Sequence, residues 1–556
     1  MSHNGRGGKR LTLLTICLLI AIVCVNLIFP MLNLLAKAID FTPFYKGFAD
    51  AFRSGSVRRA LFNSLAVSLV SSFIAVSMAF FYAYIVEIKL SGKARRFFRF
   101  FSVLPMLVPS ITHGIVIIYL FGKMGIATRI MGFQLPIYGP LGIILGSFFY
   151  AFPIAFLVMS QAFSNLDGRL YENAAILGVQ PFRRLWQIVF PITKYALFSA
   201  FAICFTMIFA DYGIPLSVGG TFPILPILFY KNVVGMLDFQ KGAIYSALIL
   251  LPAAVVYLLD TLVFSKKQVN SRHNKIRVRS GPFAPAQKLA FGLITAALAT
   301  PVLLIIATPF IKAWPYDMTP TLSHFARIFE TGKLMRLISN SIFIAFMTGL
   351  LGMCVAFTAG YVYIRDHNEL KPLKKLTHGL YMASLAVPGL ALGLAFALFY
   401  RGSFIYNTFA ILIFVNISHF FGSPYMMVIS HLKLLNPNLE NTCRSLGGSA
   451  FRVFWDVIIP NSRKMLTDVF IYFFTNTMIT ISAVSLLYNL KTMTLALQIT
   501  AYNDQGDWES AIAVSLVIFS VNVTLKLIQT MRSRSKATHM QEPLSTMPEN
   551  TVLGQK

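Results

Sequence analysis

The sequence predicts an all-α membrane protein whose roughly 12 transmembrane helices form two tandem six-helix repeats. Three observations carry that reading. Of 556 residues, 56% are hydrophobic and only 12% charged, and the mean hydropathy is +0.69, so polar side chains are too few to cover a soluble globule. Apolar stretches near the ~20 residues that a bilayer crossing needs are centred near residues 23, 74, 110, 151, 205, 252, 299, 351, 389, 417, 475 and 519. A polar island, Glu172 to Pro191, returns as Asn441 to Pro460 in an otherwise apolar chain.

The elements follow in chain order. Arg6, Lys9 and Arg10 precede an apolar run from Leu11 to about Ala36, longer than the ~7 to 15 residue core of a cleaved signal, so the first span is retained with its N-terminus inside. The first half extends over 1–264 and holds one polar loop at 164–193. A basic linker at 265–287 includes Lys266, Lys267, Arg272, Lys275, Arg277 and Arg279 with no acidic residue, as expected near anionic lipid. The second half occupies 288–531 with its polar loop at 433–463, and 532–556 reads as a disordered cytoplasmic tail. Pro105, Pro109, Pro153, Pro388 and Pro424 predict kinked helices, tolerated where neighbours satisfy the freed backbone groups.

The net charge of +28 reflects topology. Roughly 32 Lys and Arg fall on the side shared by the N-terminus, both polar loops and the tail, against roughly 15 on the other, the positive-inside asymmetry. Nucleic-acid binding is excluded, since no aromatic-interleaved basic fold accompanies the charge. Cys17, Cys24, Cys204, Cys354 and Cys443 are scattered without a CxxC pair, specifying neither a disulfide framework nor a metal site.

The repeat is wider than the loops. Asn63-Ser64 leading to Tyr84 matches Asn340-Ser341 leading to Tyr361, and Pro109 with Gly114 matches Pro388 with Gly393. Asp238-Phe239 matches Asp507-Trp508 at the 269-residue offset that relates Gly178 to Gly447. Six spans per half place the two repeats in the same orientation, related by an axis along the membrane normal.

The stretch Glu172-Asn-Ala174-Ala175-Ile-Leu-Gly178 followed by Arg183, Trp186 and Pro191, and its second copy with Gly447, Arg452, Trp455 and Pro460, resembles the EAA loop of permease subunits of binding-protein-dependent (type I) ABC importers. The resemblance implies a coupling helix seated in an ATPase, two ATPase copies inside a bacterial inner membrane, and an extracytoplasmic substrate-binding protein. Read from the residues, a short helix with Glu172 in its first turn gains from the helix dipole. Gly178 then permits a sharp turn into a second short helix, where Phe182, Leu185 and Trp186 form an apolar knob beside Arg183 and Arg184. The second copy departs from the pattern: Asn441 stands where Glu172 does, with Glu440 one residue earlier, and Cys443-Arg444 replace Ala174-Ala175.

No G-x-x-x-x-G-K-[ST] occurs, so ATP and Mg are expected on the partner ATPase, with no cofactor and no enzyme activity in this chain. Asp211 and Tyr212, in a break at the outer end of span five, and Ser482, at the equivalent end of span eleven, outline a translocation path with Asn476. Asp211 serves equally to cap a broken helix. His113 and His419 lie within spans, as path residues or as neutral imidazoles bonded to a facing helix.

Asp211-Tyr-Gly-Ile-Pro215 and Leu225-Pro-Ile-Leu-Phe-Tyr230 look like the permeases for ferric iron, thiamine and 2-aminoethylphosphonate. Ile481-Ser-Ala-Val484 and Asn503-Asp-Gln-Gly-Asp507 lean toward the phosphonate type, with ferric iron and thiamine as competing cargoes. Lys37, Lys46, Arg53, Arg58 and Arg59 against Asp40 and Asp50 in the first outer loop favour an anionic or zwitterionic solute. An ion-coupled secondary transporter would want acidic pairs at the midplane, and a membrane enzyme a cluster of His or carboxylates; the sequence shows neither.

Overall fold

The computed structural model describes residues 14–40, 49, 52–164, 166, 168–259, 285–330, 333–365 and 371–539. Most of the basic linker and the end of the tail lie outside these residues, as do Lys46 and Asp50.

The first half comprises α1 (Leu14–Ala38), α2 (Gly55–Lys89), α3 (Gly92–Phe101), α4 (Ser110–Phe121), α5 (Pro140–Ser164), α6 (Gly168–Ile176), α7 (Phe182–Phe209), α8 (Gly213–Val218), α9 (Leu225–Tyr230) and α10 (Phe239–Leu259). The second half begins with α11 (Pro285–Phe310), a hairpin of β1 (Ile311–Ala313) and β2 (Asp317–Pro320), and α12 (Ser323–Glu330). It continues with α13 (Lys333–Arg365), α14 (Lys371–Ala383), α15 (Gly389–Phe399), α16 (Phe409–Phe420), α17 (Gly422–Leu434) and α18 (Pro437–Ser445). It closes with α19 (Ile459–Ile479), α20 (Leu495–Gln505) and α21 (Trp508–His539).

Among the described residues nine helices are long and apolar enough to cross a membrane, or 11 when each of two bent pairs counts as one span. The remaining expected span, near residue 475, is α19. Arg463, Lys464 and Asp468 near its start make it too polar to qualify by composition. Two of these helix pairs are bent beyond a kink. α14 and α15 meet at 111°, α16 and α17 at 56°. Pro388 and Pro109 stand directly ahead of α15 and α4 and not inside them, because a residue without an N–H is tolerated where the first helical turn has no partner to offer. Pro153 does sit inside a continuous α5. The last helix continues to His539, past the expected boundary at 531.

In the first half α2, α5 and α7 pack on one another; in the second, α13, α17 and α19 do the same. The correspondence extends to single bonds. Asn63 donates to the Pro223 carbonyl at 2.8 Å while Ser64 accepts from the Leu225 amide at 2.8 Å. Asn340 donates to the Lys491 carbonyl at 2.8 Å and Ser341 accepts from the Leu495 amide at 2.8 Å. In each pair the serine satisfies the first amide of α9 or α20, which lacks an intrahelical partner, and the asparagine holds a carbonyl of the loop ahead of it.

The halves interlock. α1 packs against α15 of the second half, where the Tyr400 hydroxyl donates to the Val25 carbonyl at 2.9 Å. α11 packs back on the first half, where Phe291 stacks on Tyr82 with centroids 4.8 Å apart. Along the shared seam, α4 meets α21 through Thr112 and Ser515 hydroxyls at 2.9 Å.

Candidate coupling surface and translocation cavity

Both EAA-like loops fold as a short helix, a left-handed glycine and a second helix that runs into a span. At the first, the Gly178 N–H bonds the Ala175 carbonyl at 3.1 Å and the Val179 N–H reaches back to Ala174 at 3.0 Å, with Gly178 at φ +75°. At the second, Gly447 bonds Arg444 at 3.0 Å and Gly448 bonds Cys443 at 2.9 Å, with Gly447 at φ +81°. This is the helix-terminating pattern that a glycine permits because it has no Cβ to clash in the left-handed region.

The chain then rises through a wide turn, Leu185–Val189 in one copy and Val453–Ile458 in the other, directly before Pro191 and Pro460. An α-helical register there would put each proline ring against the carbonyl four residues back. The wider turn relieves that contact, which explains why the two wide turns and the two prolines recur together.

The exposed tips are apolar. Ile176 is 83% exposed, Leu177 81% and Leu446 82%. Phe182, Trp186, Phe451 and Trp455 are also exposed, and Phe182 lies edge-on to Trp186 with centroids 6.1 Å apart, as Phe451 lies near Trp455 at 6.0 Å. Isolated apolar side chains on a surface are ordinary, but here two equivalent exposed clusters stand beside Arg183 and Arg452 and form a pair of apolar knobs. Ala175, Asn441, Arg183 and Arg452 share this exposed face, whereas Ala174 is buried under it.

Three expectations are corrected here. Leu185 is buried and belongs to the core, because it follows Arg184 around the wide turn onto the inner face. Glu172 is not in the first turn of its helix, since α6 starts at Gly168, a full turn before it. Glu440, expected among the contact residues of the second loop, is not on its exposed face. It is 6% exposed and faces Arg365 of α13 at 2.7 Å, as an ion pair whose angle is not that of a straight hydrogen bond. The sequence reading overlooked the tip residues Ile176, Leu177 and Leu446; apolar side chains directly before a helix-ending glycine were the available signal.

Between the halves lies a cavity of about 270 Å³. Asp211, His419, Asn476 and Ser482 all line it, together with Tyr150, Thr206, Ser423 and Tyr472. The lining is pseudo-symmetric: Tyr150 and His419 are related by the 269-residue offset, as are Met207 and Asn476. The Asp211 carboxylate caps the broken helix, accepting the Ile214 amide at 3.0 Å at the start of α8, while the side chain also borders the cavity. Two expected path residues are elsewhere. Tyr212 is buried and stacked on Tyr230 at 5.1 Å, and His113 is fully buried behind Tyr150 with ring centroids 6.1 Å apart.

Near the cavity the helices approach so closely that a hydroxymethyl group faces a bare backbone. Ser482 lies against Gly389 in the second half, and Ser110 lies against Gly213 in the first. Ser482 and Gly213 are equivalent positions, and so are Gly389 and Ser110. The serine has changed sides of the same crossing.

Residues 71–267 and 350–537 each match the family described as "Binding-protein-dependent transport system inner membrane component". The ferric transport system permease protein FbpB of Actinobacillus pleuropneumoniae is 24% identical over 499 residues, 85% of this chain and 70% of that protein. The Fe(3+)-transport system permease protein FbpB 2 of Haemophilus influenzae is 23% identical over 516 residues, 90% of this chain and 96% of that protein. A putative 2-aminoethylphosphonate transport system permease protein, PhnU of Salmonella typhi, is 22% identical over 174 residues, 30% of this chain and 60% of that protein. Thiamine and sulfate permeases also match.

Proposed function

Because the chain belongs to the binding-protein-dependent transport system inner membrane component family, we propose that it moves a compact cation, ferric iron, from an extracytoplasmic binding protein into the cytoplasm. Two copies of a separate ATPase sit on the paired loops and bind the ATP and Mg. Both termini lie on the cytoplasmic side of a bacterial inner membrane with the basic linker.

The observation that carries the cargo reading is the charge of the cavity. Its lining contains one carboxylate, Asp211, and no Lys or Arg. A wall of that sign attracts a cation and repels a free oxyanion. Tyr150, Tyr472, Asn476 and His419 add oxygen and nitrogen donors. Among the described residues no three His, Cys, Asp or Glu side chains converge, so the contacts suit passage more than retention. The lean toward 2-aminoethylphosphonate finds less support: the phosphonate relative matches under a third of the chain, while the ferric permeases match most of it. Arg58 and Arg59 at the outer start of α2 keep a phosphonate as the second reading.

In this mechanism ATP-driven closure of the ATPases draws the two knobs together. The seam between α4, α10, α15 and α21 then parts toward the outer side to receive cargo, and hydrolysis reverses it. The test is uptake into proteoliposomes holding this chain, its ATPase and its binding protein, with radiolabelled ferric iron, thiamine and 2-aminoethylphosphonate offered separately. ATP-dependent iron uptake is the expected result. Uptake of the phosphonate without iron would overturn the cargo assignment and leave the importer standing.

A further inference from the structure

The position that braces each coupling helix to its membrane half is the same in both copies, yet its chemistry differs. Tyr171 and Glu440 are related by the 269-residue offset of the loops, and both point inward, at 7% and 6% exposure. In the first half the Tyr171 hydroxyl meets that of Tyr84, near the end of α2, at 2.8 Å. In the second, Glu440 faces Arg365, at the end of α13, at 2.7 Å, and Arg365 also donates to the Leu435 carbonyl at 3.1 Å. Leu435 follows the last residue of α17, and Asn436 next to it caps α18. Arg365 therefore ties three elements together at the base of the second knob.

We propose that these two contacts are the struts through which movement of the coupling helices reaches the long helices α2 and α13, one neutral and one ionic, with Tyr84, Tyr171, Arg365 and Glu440 as positioning residues. The inference rests on the loops seating an ATPase. Each coupling helix is otherwise short and mostly exposed, so a push on its tip is transmitted only where it is fastened. A buried ion pair holds its geometry because separating the charges leaves each unpaired in a poorly solvated place. Tyr361, the counterpart of Tyr84, is still present in the second half, and the counterpart of Arg365 is Ile88. The second half thus retains one member of the neutral strut beside its ionic one.

That arrangement supplies the test. In proteoliposomes with ATPase and binding protein, Glu440→Gln should retain bound ATPase yet lower solute taken up per ATP hydrolysed roughly five-fold or more, the scale of a typical coupling energy. The double variant Arg365→Ile with Glu440→Tyr rebuilds the first half's strut on Tyr361 and should recover most of that ratio. Wild-type uptake per ATP in Glu440→Gln overturns the proposal. So does an assembled double variant that transports no better than the single one. Should Glu440→Gln fail to assemble, the double variant decides alone, because it leaves no buried charge without a partner. Wild-type chain recovered without any ATPase would instead sink the importer reading, independently of every variant.

Discussion

Replacing Gly178 tests the coupling turn through backbone strain alone. An ideal Cβ built there meets nothing within 4 Å, and the same holds at Gly447. Packing therefore tolerates a side chain, and the whole penalty comes from φ +75° and +81°. A β-branched residue in that region costs about 1 to 2 kcal/mol, whereas Asn tolerates it. If the turn relaxes, the bond from Val179 to the Ala174 carbonyl opens and Ile176 and Leu177 leave their docking positions. A penalty of that size corresponds to roughly 5- to 30-fold in the population of the competent geometry, so Gly178→Val should reduce ATP-dependent uptake by that factor. Gly178→Asn should remain near wild type. The cap and the open space are the same in both copies, so Gly447→Val should cost as much as Gly178→Val. Uptake in proteoliposomes, normalised to inserted protein, is the assay. Normal uptake by Gly178→Val, or equal loss in Asn and Val, refutes the strain argument.

Further predictions concern charge, packing and topology. Asp211→Asn should lower cation uptake about tenfold, in line with removal of one well-placed charge contact, while leaving thermal stability nearly unchanged; unaltered uptake would remove Asp211 from the path. Gly389→Ser forces two hydroxymethyl groups into one crossing and should destabilise by about 1 to 3 kcal/mol, with Ser482→Gly in the same chain restoring the melting temperature by recreating the Ser110 and Gly213 arrangement. Cutting the chain within 265–287 should leave function intact only when both pieces are co-expressed, since α1 and α11 each pack on the opposite half; a single half recovered as a monodisperse protein would contradict the interlocked packing. In the β1–β2 hairpin, the Thr319 hydroxyl and then Lys312 hold the Asp317 carboxyl down at about 2. Its contribution is present above the ordinary carboxylate range and is lost as pH falls toward that value, so the protection factors of the hairpin amides should be unchanged between pH 7 and 5 and fall only in stronger acid.

What the sequence disclosed was whatever local spacing encodes. The two loops were legible because Gly, Trp and Pro recur at fixed distances, and those residues fix a turn, an exposed knob and a wide turn in the backbone. The Asn-Ser pairs were legible as repeats, but their bonds to α9 and α20 join residues far apart in sequence. Glu440 was read as part of the second loop's outer contact from its neighbourhood to Asn441, whereas the helix assigns faces by register and turns it inward at the position equivalent to Tyr171. The exchange of α1 and α11 between halves leaves no periodic trace, since a helix apolar on most faces packs equally well on either neighbour. Asp211 was legible as an intramembrane charge, and its gathering with His419, Asn476 and Ser482 depended on the pseudo-twofold that the repeat already suggested.

The central claim is that both loops engage an ATPase, and it is tested most directly by placing a photo-crosslinking residue at Leu177 in one preparation and at Leu446 in another. In vesicles holding the assembled complex, each position should crosslink to the ATPase subunit, and the yield should change on adding ATP as the two knobs move. Crosslinking from neither position, with the chain inserted and the ATPase present, would contradict the account.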